Sequence, residues 1–297
     1  MTMNKIAIIQ ARMSSTRLPG KVMLDIAGKP MLQHVIDRTR QARLVDRLVL
    51  ATTTDTSDDL LERLCQKQAL SCYRGSLPDV LDRFYQAARQ FRADVIVRLT
   101  ADCPLIDPTV IDRTISAFAN MPFQAEPPSL LKLPGPELPM TSPFDFAANR
   151  LPPPWQRTLP IGLDVEVCSF KSLERAWREA DQLYQREHVM PYLYEGVIFP
   201  PTDQATVEWY VEQGSTPRGF RVSVLNHTPD FGSLRWTVDT PADLEFVRQV
   251  YTHFGDHLNF GWNEVLELLE KKPELANINA VVKHKSVFDV EKPDHKC

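Results

Sequence analysis

The chain of 297 residues is 43% hydrophobic and 24% charged, the composition of a globular protein with a large apolar core. Its 34 Lys and Arg against 38 Asp and Glu give a net charge of -4, which excludes a general positive field for nucleic acid or an anionic membrane. The apolar runs are far shorter than the ~20 residues of a membrane span, and no signal-peptide pattern precedes Arg12. We therefore expect a cytoplasmic protein, and its five scattered cysteines predict reduced thiols.

Strand and helix patterns alternate from Lys5 to Ala119. The predicted strand and helix pairs are Lys5–Ile9 with Met31–Arg43, Arg47–Ala51 with Ser57–Gln68, Ser71–Tyr73 with Val80–Phe91, and Asp94–Leu99 with Thr109–Ala119. Four successive units of this kind predict a mostly parallel α/β sheet with helices on both faces. Ligands bind such sheets beyond the carboxyl ends of the strands, so the loops there form the candidate site.

A proline-rich stretch then interrupts the pattern. Eleven of the 24 prolines fall between Pro122 and Pro160, which predicts neither a helix nor a central strand. We interpret residues 121–160 as an excursion from the domain. The segment Pro136-Glu137-Leu138-Pro139 also matches the P-x-x-P pattern of an SH3-type ligand, but the excursion is the favoured interpretation.

Regular structure is predicted again after the prolines. The predicted elements are strand Leu163–Val167, helix Lys171–Glu179, a helix from about Arg186 to Tyr194, strands Phe220–Leu225 and Leu234–Val238, a helix that starts at Thr240, and helix Trp262–Glu270. Thr240-Pro241-Ala242-Asp243 combines a capping residue, a proline at the first helical position and an acid two positions later, all typical of a helix start. We divide the chain into a domain of residues 1–260 and a C-terminal helix and flexible tail of residues 261–297.

The loop after the first predicted strand is rich in cations and hydroxyls. Residues 10–21 read QARMSSTRLPGK and contain Arg12, Arg17 and Lys21. Arginine binds phosphate oxygens in a forked geometry and lysine adds a point charge, so the loop suits a polyphosphate. Neither the Walker pattern nor G-x-G-x-x-G is present. A solvated basic loop is the open alternative.

Two carboxylates follow predicted strands directly: Asp102 after Asp94–Leu99, and Asp239 after Leu234–Val238. Mg²⁺ usually takes one or two carboxylates together with phosphate oxygens, so both are candidate ligands. If the two strands lie close together, the carboxylates flank one metal position that faces the cationic loop. For Asp102 alone, pairing with Arg12 or Arg98 is an equally open alternative.

Residues 8–21 resemble the opening motif of the cytidylyltransferases of acidic sugars, in particular the spore-coat-polysaccharide type related to the CMP-ketodeoxyoctonate and CMP-sialate synthetases. Further matching motifs follow in order: RGS (74–76), DVLDRF (79–84), LTADCPL (99–105), GLDVEV (162–167), REHVMPY (186–192) and RWTVDTP (235–241). The resemblance covers about residues 4 to 255. It implies a GT-A-like nucleotide-diphospho-sugar transferase fold, usually in a homodimer. The implied reaction joins CTP to a nonulosonic or related sugar acid, with release of pyrophosphate, for surface polysaccharide biosynthesis.

The resemblance also implies roles for individual residues. The nucleotide-binding residues it implies are Ala11, Arg12, Ser15, Arg17 and Lys21 around the triphosphate, Arg74, Gly75, Ser76 and Asp79 near the cytidine, and Asp102. Mg²⁺ would be held by Asp102 and Asp239, which with Arg12 and Lys21 form the predicted catalytic set. Acceptor contacts would come from Asp164, Glu166, Glu187 and His188, within a segment of about residues 161–200 that often contributes to the dimer. For His188, packing on a helix face is the alternative.

Two other classes of protein remain open at this point. A GT-A glycosyltransferase would transfer sugar from a finished nucleotide sugar, but such enzymes commonly carry D-x-D after a central strand, which Asp102-Cys103-Pro104 does not supply. A non-catalytic nucleotide-binding protein is disfavoured because the three loop cations and both metal carboxylates are present.

Overall fold

The computed structural model describes residues 3–123, 142–201, 207–257 and 259–282. The strands in these ranges are β1 (Lys5–Gln10), β2 (Asp25–Ile26), β3 (Lys29–Pro30), β4 (Arg47–Thr53), β5 (Ser71–Gly75), β6 (Val95–Thr100), β7 (Phe146–Ala148), β8 (Glu166–Ser169), β9 (Trp209–Ser215) and β10 (Arg221–His227). The α-helices are α1 (Met31–Thr39), α2 (Asp59–Lys67), α3 (Val80–Gln90), α4 (Pro108–Ala119), α5 (Phe170–Glu179), α6 (Leu183–His188), α7 (Pro191–Tyr194), α8 (Pro241–Phe254), α9 (Trp262–Lys271) and α10 (Glu274–Asn277). The P-x-x-P segment and the tail predicted to be flexible lie outside the described residues.

Eight of the described strands form one sheet in the order β5-β4-β1-β6-β8-β7-β10-β9. Strand β8 runs antiparallel to β6 and β7, and β9 runs antiparallel to β10, whereas the remaining neighbours are parallel. The predicted mostly parallel α/β sheet is therefore confirmed. The chain passes from β1 to β4 on one side of β1, whereas β6 lies on its other side. The carboxyl ends of β1 and β6 therefore form the switch point, the place where the strand order reverses and where ligands bind in such sheets.

Strand β1 is apolar at successive positions because both faces of the sheet are covered. Ala7 and Ile9 belong to one buried cluster, which α1, α4 and α8 cover, and Ile6 and Ile8 belong to a second cluster, which α3 and α5 cover. All four side chains are fully buried. This packing fixes the end of β1 rigidly at the switch point, where the cationic loop begins. Of the described helices, none is long and apolar enough to cross a membrane.

The prediction that the proline-rich stretch holds no central strand is wrong for Phe146–Ala148. This strand, β7, pairs in parallel with β10 and antiparallel with β8, so it lies inside the sheet. Pro143 and Pro152 flank the segment without entering it, and its three side chains are buried. The prolines therefore bound a short strand, and every strand residue keeps its backbone N–H for pairing.

The prediction of a strand at Leu234–Val238 is also wrong. This segment makes one parallel bridge, between Arg235 and Ile161, and otherwise runs as a loop. Its strand-like apolar pattern reflects burial, because Trp236 and Val238 are fully buried core residues. Strand β10 lies between β7 and the antiparallel strand β9, so the segment Leu234–Val238 does not pair with it.

One predicted helix is divided in two. The pattern from Arg186 to Tyr194 predicts a single helix, but the chain forms α6 and α7. Val189, between them, has a backbone φ of 71°, which no right-handed helix contains. The other predicted elements are present with bounds shifted by a few residues, and the small β2–β3 ribbon was not predicted.

Candidate active site

The loop after β1 is closed by its own backbone. The carbonyl of Met13 accepts hydrogen bonds from the N–H groups of Ser15 and Gly20, both at 3.0 Å. Gly20 has a φ of 67°, a left-handed conformation that glycine adopts without strain, and it leads directly into a 3₁₀ turn at Lys21–Met23. Ala11 is buried beneath the loop and donates its N–H to the carbonyl of Ala51. The loop is thus a defined structure that presents its cations at the switch point.

Asp58 anchors this loop from below. Its Oδ1 accepts the Met13 N–H at 2.7 Å, and its Oδ2 accepts the Thr52 hydroxyl at 2.9 Å and the Thr53 N–H at 3.0 Å. The carboxylate is almost fully buried. Sequence reasoning missed Asp58, because an acid near a predicted helix start ordinarily caps that helix.

Lys21 joins the two predicted metal carboxylates. Its Nζ lies 2.9 Å from Oδ2 of Asp102 and 2.9 Å from Oδ1 of Asp239, and it also donates to the carbonyl of Val238 at 2.8 Å. Arg17 reaches the same Oδ1 of Asp239 at 2.7 Å. The expected proximity of the two carboxylates is therefore confirmed, and the pairing partner of Asp102 is Lys21.

Backbone contacts between loops bring the carboxylates together. The N–H of Val238 donates to the carbonyl of Asp102 at 2.8 Å, and the Thr237 hydroxyl donates to the same carbonyl at 3.1 Å. The segment of Asp239 is itself held against residues 161–162, where a Cβ on Gly162 would lie 2.6 Å from the Thr237 nitrogen. Asp239 thus reaches Asp102 through a loop that crosses the end of β6, although Leu234–Val238 is not a strand.

The ionisation of this cluster is fixed by its own members. Burial alone would raise the pKa of Asp102, but the Lys21 ammonium and the Thr100 hydroxyl, at 2.6 Å from Oδ1, outweigh it and hold the pKa at about 2. Burial likewise opposes the charge on Lys21, yet Asp102 and Asp239 raise the pKa of its ammonium above the usual value. Asp102 therefore stays ionised and the Lys21 side chain stays protonated at neutral pH.

A second ionic cluster lies behind Asp239. Arg235 donates to Oδ2 of Asp239 at 2.8 Å and to Oδ1 of Asp243 at 2.8 Å. Asn279, from the chain beyond α10, donates to the Arg235 carbonyl and to Asp243, both at 2.9 Å. Asp243 is fully buried and also accepts the Asp239 N–H at 3.0 Å. The C-terminal segment therefore supports the active-site carboxylate, and Trp262 of α9 joins the same core as β1.

The two carboxylates that contact Lys21 have the chemistry of ligands for a Mg²⁺ ion that also binds a nucleotide. Among the described residues, no group of three or more His, Cys, Asp and Glu could hold a metal ion. Asp102 and Asp239 supply two carboxylates that both face one cationic position. Mg²⁺ keeps several non-protein ligands and commonly takes one or two carboxylates plus phosphate oxygens, so two carboxylates beside a phosphate-type loop suit it.

The residues predicted near the cytidine run from the end of β5 to the start of α3. Arg74 is held by Asp59 at 2.6 Å, by Glu62 at 2.9 Å and by two backbone carbonyls at the end of β4 and just beyond it. The Ser76 hydroxyl accepts the Asp79 N–H at 3.1 Å. Asp79 caps α3 and pairs with Arg186 of α6. The structure thus assigns structural contacts to Arg74 and Asp79, and their predicted role at the cytidine stays a prediction.

Arg83 lies beneath this same segment. The side chain is fully buried and donates to the Ser76 carbonyl at 2.7 Å. A Cβ at Gly75 would lie 2.7 Å from the Tyr73 ring and 3.2 Å from Cγ of Arg83, so a side chain at this position would have to displace the ring. Burial and the nearby cation of Arg12 lower the pKa of Arg83 to about 10. Arg12 itself is half-buried beside it. The base of the predicted nucleotide site is therefore strongly cationic.

Two of the three predicted acceptor carboxylates, Glu166 and Asp164, are paired with arginines. Glu166 pairs with Arg98 of β6, which also donates to the Gln10 side chain at 3.1 Å. Asp164 accepts from Nη1 of Arg157, at 2.5 Å, and from its Nη2, at 3.2 Å, and lies 3.6 Å from Nε of Arg150. The other two predicted acceptor residues, Glu187 and His188, are half-buried at the end of α6. Arg150 and Arg157 were missed, because single arginines among prolines carry no motif.

Comparison with solved structures defines the class of protein. A cytidylyltransferase from Leptospira borgpetersenii matches with a TM-score of 0.75 and 27% identity, over 95% of this chain and 100% of that one. A CMP:2-keto-3-deoxy-manno-octonic acid synthetase complexed with CTP has the same fold at a TM-score of 0.56 and 18% identity, over 84% of this chain and 98% of that one. The predicted GT-A-like fold is confirmed, and the protein is a nucleotidyltransferase.

Sequence comparison then places the chain within that class. A family model described as cytidylyltransferase matches residues 6–214, so the chain belongs to the cytidylyltransferase family. An uncharacterised protein of Methanocaldococcus jannaschii is 32% identical over 97% of this chain and 100% of its own length. The spore coat polysaccharide biosynthesis protein SpsF of Bacillus subtilis is 30% identical over 91% of this chain and 95% of its own. The 3-deoxy-manno-octulosonate cytidylyltransferase of Geobacter sulfurreducens is 41% identical over 40% of this chain and 47% of its own.

Proposed function

We propose that the protein is a Mg²⁺-dependent cytidylyltransferase that transfers CMP from CTP to an anionic sugar, a nonulosonic or related acid, and releases pyrophosphate. The observation that carries the proposal is the Lys21 ammonium held between Asp102 and Asp239 at the mouth of the cationic loop. The names of two relatives support a role in surface polysaccharide biosynthesis and an eight-carbon sugar acid as the type of acceptor. We propose a cytoplasmic homodimer in which residues 161–200 contribute to the interface.

The chemistry needs charge stabilisation and positioning more than a protein nucleophile. An acceptor oxygen attacks the α-phosphorus while pyrophosphate leaves on the opposite side, so no Ser or Cys adduct is required. Arg12, Arg17 and Lys21 would bind the triphosphate oxygens, and Asp102 and Asp239 would hold the metal. When bound, Mg²⁺ would supply positive charge against the triphosphate and the departing pyrophosphate.

The direct test is pyrophosphate release with each of the four nucleoside triphosphates, with and without Mg²⁺, across a panel of acidic sugars that includes 3-deoxy-manno-octulosonate. We expect release only with CTP, Mg²⁺ and one acid. Equal release without a divalent cation, or full turnover by Asp239→Asn with Mg²⁺, would remove the metal assignment. No release combined with no calorimetric CTP binding would overturn the proposal as a whole.

The same assay separates the other two classes of protein. A GT-A glycosyltransferase would release a nucleoside diphosphate from a finished nucleotide sugar and no pyrophosphate from CTP. A non-catalytic nucleotide-binding protein would bind CTP, lose that binding in Arg17→Ala and Lys21→Ala, and turn over no acceptor. Membership of the cytidylyltransferase family favours neither alternative.

A further inference from the structure

Two cysteines from different elements lie side by side in the fold. Cys65 is in the last turn of α2, Cys72 is the second residue of β5, and their side chains are hydrogen-bonded to each other. Cys65 belongs to the apolar core on one face of the sheet, and Cys72 packs against that same core. Both thiols are free. The structure therefore holds a reduced thiol pair between a helix and an outer strand of the sheet.

The thiol pair continues a regular contact between α2 and β5. Arg74 follows Cys72 by two residues, so the two side chains leave the strand on the same face. The Arg74 guanidinium is held by Asp59 at 2.6 Å and by Glu62 at 2.9 Å. Glu62 and Asp59 precede Cys65 by about one and about two helical turns. The helix thus runs antiparallel to the strand, and the packing of both elements brings the thiols together.

Of the two thiols, Cys72 is the better placed to react first. Cys72 is half-buried, whereas Cys65 is buried. The hydrogen bond with Cys65 lowers the pKa of Cys72, and the Arg74 guanidinium acts in the same direction against burial. A lower pKa favours the thiolate, which is the nucleophilic form. The residues just before Cys72, 69–71, line a surface cavity of about 340 Å³, so the pair lies close to solvent.

We propose that Cys65 and Cys72 form a site of reversible oxidation, at which a peroxide converts the two thiols into a disulfide that weakens CTP binding. The Cys72 thiolate attacks one oxygen of hydrogen peroxide, so an S–O bond forms, the O–O bond breaks, and hydroxide leaves and takes up the proton that Cys72 gave up. The Cys65 sulfur then attacks the sulfenic acid, so the S–S bond forms and a second water leaves. The sulfurs lose the two electrons that the peroxide gains, and a dithiol reductant reverses the change.

Helix α2 connects the thiol pair to both parts of the predicted nucleotide site. Its N-cap residue, Asp58, accepts the Met13 N–H of the cationic loop at 2.7 Å, and its first two turns hold Arg74. A disulfide joins two sulfurs at about 2 Å, closer than two thiols approach, so α2 and β5 must shift relative to each other when it forms. Because the core is close-packed, this shift displaces Met13 and Arg74. The loss of CTP affinity that follows rests on the proposed function.

The test measures thiols and CTP binding in the same samples. The whole chain is treated with hydrogen peroxide, its free thiols are counted by alkylation and mass spectrometry, and its Kd for CTP is measured by calorimetry. The five thiols of the reduced chain should decrease by two. Trypsin cleaves after Lys67, between the two cysteines, so the disulfide should appear as two linked peptides. The Kd for CTP should rise about tenfold, and dithiothreitol should restore the Kd and separate the peptides.

Matched variants separate the disulfide from general oxidation. Cys72→Ser should keep the Kd of the reduced parent before and after peroxide, whereas Cys168→Ala, at a buried cysteine of β8, should respond as the parent does. In Cys65→Ser the reaction should stop at the Cys72 sulfenic acid, which dimedone traps. If Cys72→Ser fails to fold, the linked peptides of the parent decide.

Three outcomes would overturn the inference alone. They are a parent chain that forms no linked peptides, a disulfide that leaves the Kd for CTP unchanged, and an oxidised Cys72→Ser that loses CTP affinity as the parent does. Absence of both CTP binding and pyrophosphate release in the reduced parent overturns the proposed function, and the effect on CTP with it. The linked peptides test the disulfide independently of that result.

Discussion

The two halves of the active site share charge in opposite ways. At Lys21 one ammonium is shared by two carboxylates, Asp102 and Asp239. At Asp164 one carboxylate is shared by two guanidiniums, those of Arg150 and Arg157. The comparison teaches that the first cluster gathers carboxylates around a cation, whereas the second gathers cations around a carboxylate.

The largest effect on turnover should come from Asp102→Asn, which removes one of the two carboxylates from the Lys21 cluster. Removing one metal carboxylate removes charge stabilisation at the reacting phosphates, so we expect kcat to fall about a thousandfold. Pyrophosphate release at saturating CTP measures this loss. Asp37→Asn, at a half-exposed ion pair on α1, is the matched control and should keep parental turnover. Retention of more than a tenth of the activity by Asp102→Asn would contradict the assignment.

Substituting the more buried of two loop cations should cause the larger loss of activity. Lys21 is 12% exposed and pairs with two carboxylates, whereas Arg17 is 32% exposed and, within the described ranges, pairs with one, that of Asp239. We expect kcat/KM for CTP to fall about a hundredfold in Lys21→Ala and about tenfold in Arg17→Ala. Steady-state kinetics at fixed acceptor measures both values, with Lys29→Ala on β3 as the control. Equal losses in Lys21→Ala and Arg17→Ala would show that the shared ammonium has no special role.

The low pKa of Asp102 predicts an acid-dependent contribution to stability. Because the folded value of about 2 lies below the ordinary 3.8, the ionised side chain stabilises the folded state above pH 4 and loses that effect as the pH falls toward 2. The free energy of unfolding of the parent protein should exceed that of the Asp102→Asn variant by on the order of 2 kcal/mol at pH 6, and this difference should be smaller at pH 3. Urea unfolding of both proteins between pH 3 and pH 6 measures this difference. A difference that does not change with pH would refute the low pKa of Asp102.

The smallest effect on turnover should come from Asn279→Ala, which leaves the Lys21 cluster and the Asp164 cluster intact. This change removes two buried hydrogen bonds, to Arg235 and Asp243, and should cost about 1 to 2 kcal/mol of unfolding free energy. Because Asn279 is linked to Asp239 only indirectly, through Arg235 and Asp243, kcat should change less than about threefold. Thermal unfolding and turnover measured together test this, and a large loss of kcat without destabilisation would mean that the tail acts on catalysis directly.

The cationic loop and Asp102 could be placed from sequence because they follow β1 and β6, and parallel topology brings the carboxyl ends of these neighbouring strands together. Asp239 was placed there on the basis of a strand, Leu234–Val238, that the structure does not contain. The detail that could not be predicted is that Lys21 bridges the carboxylates. That contact depends on the Val238 backbone lying against Asp102, a tertiary pairing with no local pattern.

The acceptor side was less predictable because its structure depends on non-local pairing. Three residues of β7 form a central strand only because β8 and β10 lie on either side of it, and so short a segment has no measurable periodicity. Arg150 and Arg157 owe their positions to that strand and to Asp164. The acceptor role of Asp164 stays a prediction, and its two arginine partners lie among prolines, where composition indicates only a loop.

The backbone at Gly162 has a practical consequence for protein engineering. This residue has a φ of 111°, and any side chain there would collide with the backbone of Trp236 and Thr237, the segment that carries Asp239. A saturation library built across residues 149–166 to change the acceptor should therefore return glycine alone at position 162, while neighbouring positions vary. The segment before β8 and the segment that carries Asp239 are in contact at this glycine, so a larger residue here would disturb both.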